Sequence, residues 1–198
     1  KKGYSLNEYG MKNVKRSEDI IPFKDEESLY SFLGLQTPSP EIREGTHEIE
    51  KAVRKTLPTL ISLKDIKGDF HMHSSYDLQP SHDLGLNTYQ EMVVKAKELQ
   101  YDYIGFSEHN PKQKGLTQGE IGDIMRKRKK HIDEEMRSLK FPYFIGLEVD
   151  ILPNGSLALP DEAYKYVDYL IVSLHSSFQM KMEEMTARVL KALSHPKV

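Results

Sequence analysis

The stretch Gly68-Asp69-Phe70-His71-Met72-His73-Ser74 sets two imidazoles one residue apart at the end of a short apolar-flanked segment. In an extended strand, residues i and i+2 project to the same side. His71 and His73 therefore present two nitrogen donors to one spot, as a metal ion requires. Further candidates end later strand-like runs: Glu108 and His109 after Tyr103–Ser107, Glu148 in Tyr143–Val149, and His175 after Tyr169–Leu174. Each has an ordinary reading of its own. His109 could cap a strand exit, Glu148 could pair with a basic residue, and His175 could be a hydrogen-bonded core histidine. Burying such groups singly costs several kcal/mol. One shared cation accounts for all four strand ends together, and that is the reading adopted.

Other chemistry-bearing residues are weaker candidates. His82 and Asp83 lie in the irregular loop Asp77–Gly85, directly after the His-x-His segment, where a loop at the site mouth can add a ligand. His47 starts a charged helix, His131 reads as a solvated helix-face residue, and His195 precedes Pro196 at a helix end. The run Arg126-Lys127-Arg128-Lys129-Lys130 could touch a phosphate backbone. Asp133, Glu134 and Glu135 follow it on the same helix, so a solvated face of mixed charge is the expectation.

The elements that must position these groups alternate strand and helix. Strands are expected at Phe70–His73, Tyr103–Ser107, Tyr143–Val149 and Tyr169–Leu174. Helices are expected at Thr88–Leu99, Thr117–Leu139, Asp161–Tyr166 and Glu183–Leu193. Near-continuously apolar strands in repeated βα units imply a parallel sheet with helices outside it, open or closed. In both forms, functional residues collect at the C-terminal strand ends. The first third differs: residues 3–14 alternate as a hairpin with Gly10 near the turn, Asp25–Leu33 is helical and stopped by Gly34, and Thr46–Lys55 is a short charged helix.

Bulk composition narrows the classes. The chain has 198 residues, 38% hydrophobic and 29% charged, an ordinary globular balance. No apolar run approaches the roughly 20 residues that span a bilayer, and no signal sequence is visible, so a cytoplasmic location is expected. There is no cysteine, so any metal must be held by His, Asp and Glu, which suits Zn, Mn or Fe. A net charge of −2 gives no global drive towards nucleic acid. The chain starts in strand-like residues without an initiator Met and stops just past a helix, which reads as a piece of a longer protein.

The four motifs Gly68–Ser74, Gly105–His109, Gly146–Gly155 and Val172–Ser176 resemble, in order and spacing, the PHP (polymerase and histidinol phosphatase) domain. Glu148-Val149-Asp150-Ile151 with Pro153-Asn154-Gly155 and Pro160-Asp161-Glu162 is similar to the branch fused to bacterial and archaeal family X DNA polymerases. The resemblance covers residues 66–198, about two thirds of the chain. Gly3–Gly10 and Glu26–Gly45 resemble the end of a polymerase-beta-like thumb. The expected organisation is therefore 1–48 thumb remnant of α+β type, 49–66 linker, and 67–198 PHP domain. The resemblance implies an α/β fold, a distorted (β/α)7 TIM-like barrel that is incomplete in this chain, with a cluster of up to three divalent ions. It implies His71, His73, Asp83, His109, Glu148 and His175 as ligands, with Glu148 bridging and Glu148 and His109 catalytic. Asp83 is an alignment choice within a long loop, so Asp77 and His82 stay open, as does the role of Glu108. His195 is not taken as a ligand.

The implied chemistry is metal-assisted phosphoester hydrolysis, in which two cations about 3.5–4 Å apart clamp the attacking and leaving oxygens. The implied substrate is a DNA 3′ end, gapped or single-stranded, cut as a 3′–5′ exonuclease in repair. Two rivals are carried forward: a small-molecule phosphatase of the histidinol-phosphate kind, and a catalytically inert structural module.

Overall fold

A computed structural model describes residues 3–15 and 20–198. The chain divides into two compact units, Lys1–Ile61 and Ser62–Val198.

In the first unit, β1 (Tyr4–Asn7) and β2 (Gly10–Asn13) form an antiparallel hairpin, and β3 (Ile20–Ile21) pairs with β2. Gly10 takes a φ of 136°, and a Cβ there would overlap the Ile21 carbonyl, so the crossing accepts only glycine. Helix α1 (Glu26–Phe32) starts from a reciprocal cap between Asp25 and Ser28. Arg43 reaches back to grip Glu26 through two bonds of 2.7 Å each. Helix α2 (Glu48–Arg54) also belongs to this unit, with Ala52 fully buried and its carbonyl held by the Gln36 amide. Residues 49–61 of the expected linker thus lie within the first unit.

The second unit alternates short strands and helices. β4 (Gly68–Asp69), β5 (Tyr103–Phe106) and β6 (Tyr143–Ile145) form a parallel sheet in that order, and β7 (Glu148–Asp150) pairs in parallel with β8 (Ile171–Ser173). Past its end, the β5 chain changes partner. The Gly146 amide bonds Phe106, the Glu148 amide bonds Glu108, and the Asn110 amide bonds Glu148. Glu108 and His109 are thereby laid beside β7. Helices α3 (Tyr89–Glu98) and α4 (Gln118–Leu139) flank the strands, each opened by a Thr–Glu capping box at Thr88/Glu91 and Thr117/Glu120. Helix α5 (Met182–Leu193) follows β8. Ile104, Phe106 and Val149 from the strands and Leu147 between β6 and β7 bury with Val93, Ile121, Met125, Ile132 and Met136 from the helices. Among the described residues no helix is long and apolar enough to cross a membrane.

Several expected elements change in detail. The expected strand Phe70–His73 is irregular; the ladder covers only Gly68–Asp69. Its line continues because Met72 exchanges bonds with Ser107, at 2.8 Å to the Ser107 amide and 2.9 Å from its own amide to Oγ. The expected strand Tyr143–Val149 breaks into β6 and β7 at Gly146, where the Tyr169 ring occupies the space a side chain would need. The expected helix Asp161–Tyr166 is a 3-10 helix. The strand at Tyr169–Leu174 contracts to Ile171–Ser173. The fold is mixed α/β with parallel strands, and among the described residues no sheet closes on itself.

Candidate metal centre

β7 carries the centre of the site. Glu148 is 4% exposed and its carboxylate faces four imidazoles. Oε2 lies 2.8 Å from His71 Nε2, 2.9 Å from His73 Nε2 and 3.6 Å from His109 Nδ1; Oε1 lies 3.5 Å from His175 Nε2. A second carboxylate extends the cluster. Asp150 Oδ1 meets His175 Nδ1 at 2.7 Å and His82 Nε2 at 3.2 Å. Asp83 Oδ1 stands 3.4 Å from His109 Nε2, on a loop residue that is itself well exposed. The imidazoles pack edge to face, with His82 and His175 centroids 4.1 Å apart and His73 and His109 4.4 Å apart.

Local structure explains the convergence. Glu148 and Asp150 are i and i+2 on β7 and share a face. His109 is placed by its bridge to Glu148. His71 is turned by its own amide donating to Asp69 Oδ1 at 2.9 Å. The loop carrying His82 and Asp83 is drawn in by Gly85, whose amide bonds the Ser74 carbonyl at 3.0 Å.

Electrostatics suits a cation. Burial alone would raise the Glu148 pKa, but hydrogen bonds from Ser173 and His71 and the field of His109 outweigh it and hold the carboxyl at about 2. Burial pushes the His109 pKa below its ordinary value despite the Glu148 charge, so a neutral ring with a free lone pair is favoured at neutral pH. His109 Nδ1 is buried and makes no hydrogen bond. An unpaired buried nitrogen 3.6 Å from a carboxylate oxygen is costly unless something bridges them. Two donors on one tetrahedral ion with bonds of about 2.1 Å stand about 3.4 Å apart, so the spacing fits a shared cation. Four overlapping donor sets satisfy this closeness, each within 4.8 Å: His71–His73–Glu148, His73–Asp83–His109, His109–Glu148–His175 and His82–Asp150–His175. Nitrogen and carboxylate donors without sulfur suit Zn, Mn or Fe.

All six residues expected as ligands are brought to this cluster. Of the open alternatives, His82 is in it, whereas Asp77 caps its own loop by accepting from the Gln79 amide. Asp150 was missed, although its i+2 spacing from Glu148 marked it. Glu108 faces away from the site. It is 1% exposed and binds Arg128 Nε at 2.9 Å, with a second short contact to Nη2, and also accepts from the Ser74 amide and hydroxyl. This corrects the expectation of a wholly solvated basic run. Arg126, Lys129 and Lys130 do pair along the helix with Asp123, Asp133 and Glu134, but Arg128 is fully buried. The signal was legible: 121, 125, 128, 132 and 136 form one helical stripe, apolar except at 128. His131 is half-buried and stacks on Tyr76 at 4.8 Å. His195 is half-buried against the Tyr164 ring at 4.5 Å, away from the cluster.

Residues 1–44 match the family model of the DNA polymerase beta thumb, and residues 69–195 match that of the PHP domain. The chain is 32% identical over 203 residues to the DNA polymerase/3′-5′ exonuclease PolX of Bacillus subtilis, covering all of this chain and 33% of that protein. It is 29% identical over 118 residues to a protein of Clostridium acetobutylicum named as a probable phosphatase, covering 56% of this chain and 44% of that protein. The chain thus spans a third to less than half the length of these relatives. A thumb match followed by a PHP match, over a site of imidazoles around Glu148, leads to one assignment: this chain belongs to the PHP domain family, in the arrangement found in PolX-type DNA polymerases.

Proposed function

We propose that the second unit holds up to three divalent ions, Mn, Zn or Fe, and hydrolyses phosphoesters at DNA 3′ ends, gapped or single-stranded, as a 3′–5′ exonuclease in repair. The proposal assigns residues 1–48 to a thumb remnant, 49–66 to a connection and 67–198 to an incomplete PHP-type (β/α)7 barrel, working in the cytoplasm. The observation that carries it is Glu148, a buried carboxylate whose oxygens lie 2.8–3.6 Å from four imidazole nitrogens. Bound ions would supply Lewis-acid stabilisation of the phosphoryl oxygens and an activated water.

The ligands in this reading are His71, His73, Asp83, His109, Glu148 and His175, joined by His82 and Asp150. Glu148 offers an oxygen to each of two neighbouring donor sets and so bridges them. Its carboxyl stays ionised throughout the neutral range. His109, kept neutral by burial, offers Nδ1 towards Glu148 and Nε2 towards Asp83. Glu148 and His109 stand at the reacting centre and are the proposed catalytic pair.

The name of the Bacillus relative includes exonuclease activity, and that of the Clostridium relative a phosphatase. The thumb match favours DNA. The test is Mn-dependent hydrolysis of 3′-labelled single-stranded DNA against histidinol phosphate, by the wild type, His71→Ala and Glu148→Gln. Loss of DNA cleavage in both variants is expected. Unchanged cleavage rejects the site. Turnover of histidinol phosphate alone turns the reading to a small-molecule phosphatase, and a chain that retains no Zn, Mn or Fe is an inert module.

A further inference from the structure

Helix α5 turns a cation inward. Arg188 is 2% exposed, and its acceptors are three main-chain carbonyls and a thioether rather than a carboxylate. Nε donates to Leu152 O at 3.0 Å, Nη1 to Ser176 O at 3.0 Å with Met180 Sδ at 3.6 Å, and Nη2 to Ile151 O. A buried guanidinium without an anionic partner is costly. What the protein gains is the rigid donor fork, which one side chain spreads over two loops.

Those loops leave the ends of β7 and β8. Ile151 follows Asp150, and Ser176 follows His175. Asp150 and His175 meet at 2.7 Å, and His82 closes on the same Asp150 oxygen at 3.2 Å. We propose that Arg188 is a positioning residue that holds the β7 and β8 exits at the separation the His82–Asp150–His175 cation set requires. The inference rests on the metal-centre reading above. Electrostatics alone points the other way, because a positive charge behind a cation site repels the ion, and its removal would tighten binding. Positioning requires that binding weaken. The His71–His73–Glu148 set serves as an internal reference, since the bonds from Arg188 reach only the 151–152 and 176–180 segments.

The test is calorimetric Mn2+ titration of the chelator-stripped full chain at neutral pH, with circular-dichroism melts in parallel. His82→Ala identifies the ion of the His82–Asp150–His175 set. Arg188→Lys keeps the charge and loses the fork. Arg188→Gln loses the charge and keeps an amide donor, and carries the test alone if the lysine variant does not fold. Both are expected to weaken the His82–Asp150–His175 ion by about 10–100-fold, the usual cost of losing an outer partner, with the ion of the His71–His73–Glu148 set unchanged. A lowered melting temperature with wild-type affinities would make Arg188 a stability element only and overturn the proposal. Tighter binding in Arg188→Gln overturns it too. A wild-type chain that takes up no Mn2+ rejects the metal centre and this inference together; unchanged variants of a chain that binds reject this inference alone.

Discussion

Replacing Glu108 by Met strands a guanidinium that has no exposed surface. Arg128 would keep its 3.1 Å bond to the Phe106 carbonyl and lose its anionic partner. Breaking one side of a buried pair costs about 3–5 kcal/mol, because the remaining charge is desolvated without a partner. Ser74 would also lose the acceptor of its amide and hydroxyl, at about 1–3 kcal/mol per unsatisfied group. Arg128→Met strands the carboxylate instead and costs a similar amount. In Glu108→Met with Arg128→Met no buried charge is left, so the penalty falls towards the Ser74 cost, and the two changes couple by at least about 2 kcal/mol. Chains of more than one compact unit commonly depart from two-state unfolding, and this chain has two. The assay is therefore hydrogen exchange at α4 and β5 amides, which reports the opening free energy of that region. Additive single and double variants, or a single variant costing under about 1 kcal/mol, would refute the reasoning and mean that Arg128 reaches water.

The same pair sets an acid limit. Burial raises the Glu108 pKa, but the Arg128 charge and the Ser74 hydroxyl lower it further, so the net shift is downward. Its stabilisation is present above the unfolded pKa of about 4.3 and is lost as pH falls through the lower folded value; an acid-unfolding midpoint unmoved by Glu108→Met contradicts this. Gly85→Ala places a Cβ onto the His73 carbonyl, so the loop bearing His82 and Asp83 must move, at about 1–3 kcal/mol, and Mn2+ affinity should fall; wild-type affinity by calorimetry counts against the loop's role. Mn2+ at a hundred times its Kd should stabilise the second unit by about 2.7 kcal/mol and Glu148→Gln should abolish that gain, whereas equal stabilisation of both proteins speaks against Glu148 as the shared ligand. Histidine donors bind only when neutral, so Mn2+ uptake should fall as pH drops through the range in which His109 protonates, which burial sets below the ordinary histidine value, and pH-independent uptake removes the imidazoles from the site.

Much of the site was legible because strand periodicity is a local rule. His71 and His73 show the i, i+2 spacing that sends side chains to one side, and each later candidate closed an apolar run. Asp150 obeyed the same spacing from Glu148 and was overlooked. Arg128 departs from the expectation for a different reason. Residue type suggested solvent, while the stripe through 121, 125, 132 and 136 marked the inward face on which 128 falls. Arg128 is held in that stripe by the counter-charge behind it, and Glu108 is twenty residues away in the chain.

What the amino-acid order determined alone was the βα alternation, the capped helix starts at Thr88 and Thr117, the all-nitrogen-and-oxygen donor set that follows from having no cysteine, and the family. What tertiary structure decided was which donors meet: His82 rather than Asp77, Asp150 alongside Glu148, and the burial of Glu108, Arg128 and Arg188. The first group depends on neighbours within a few residues, where propensity and periodicity act. The second depends on loop paths and on desolvation of charges drawn from distant segments, which are specified only once the strands lie side by side.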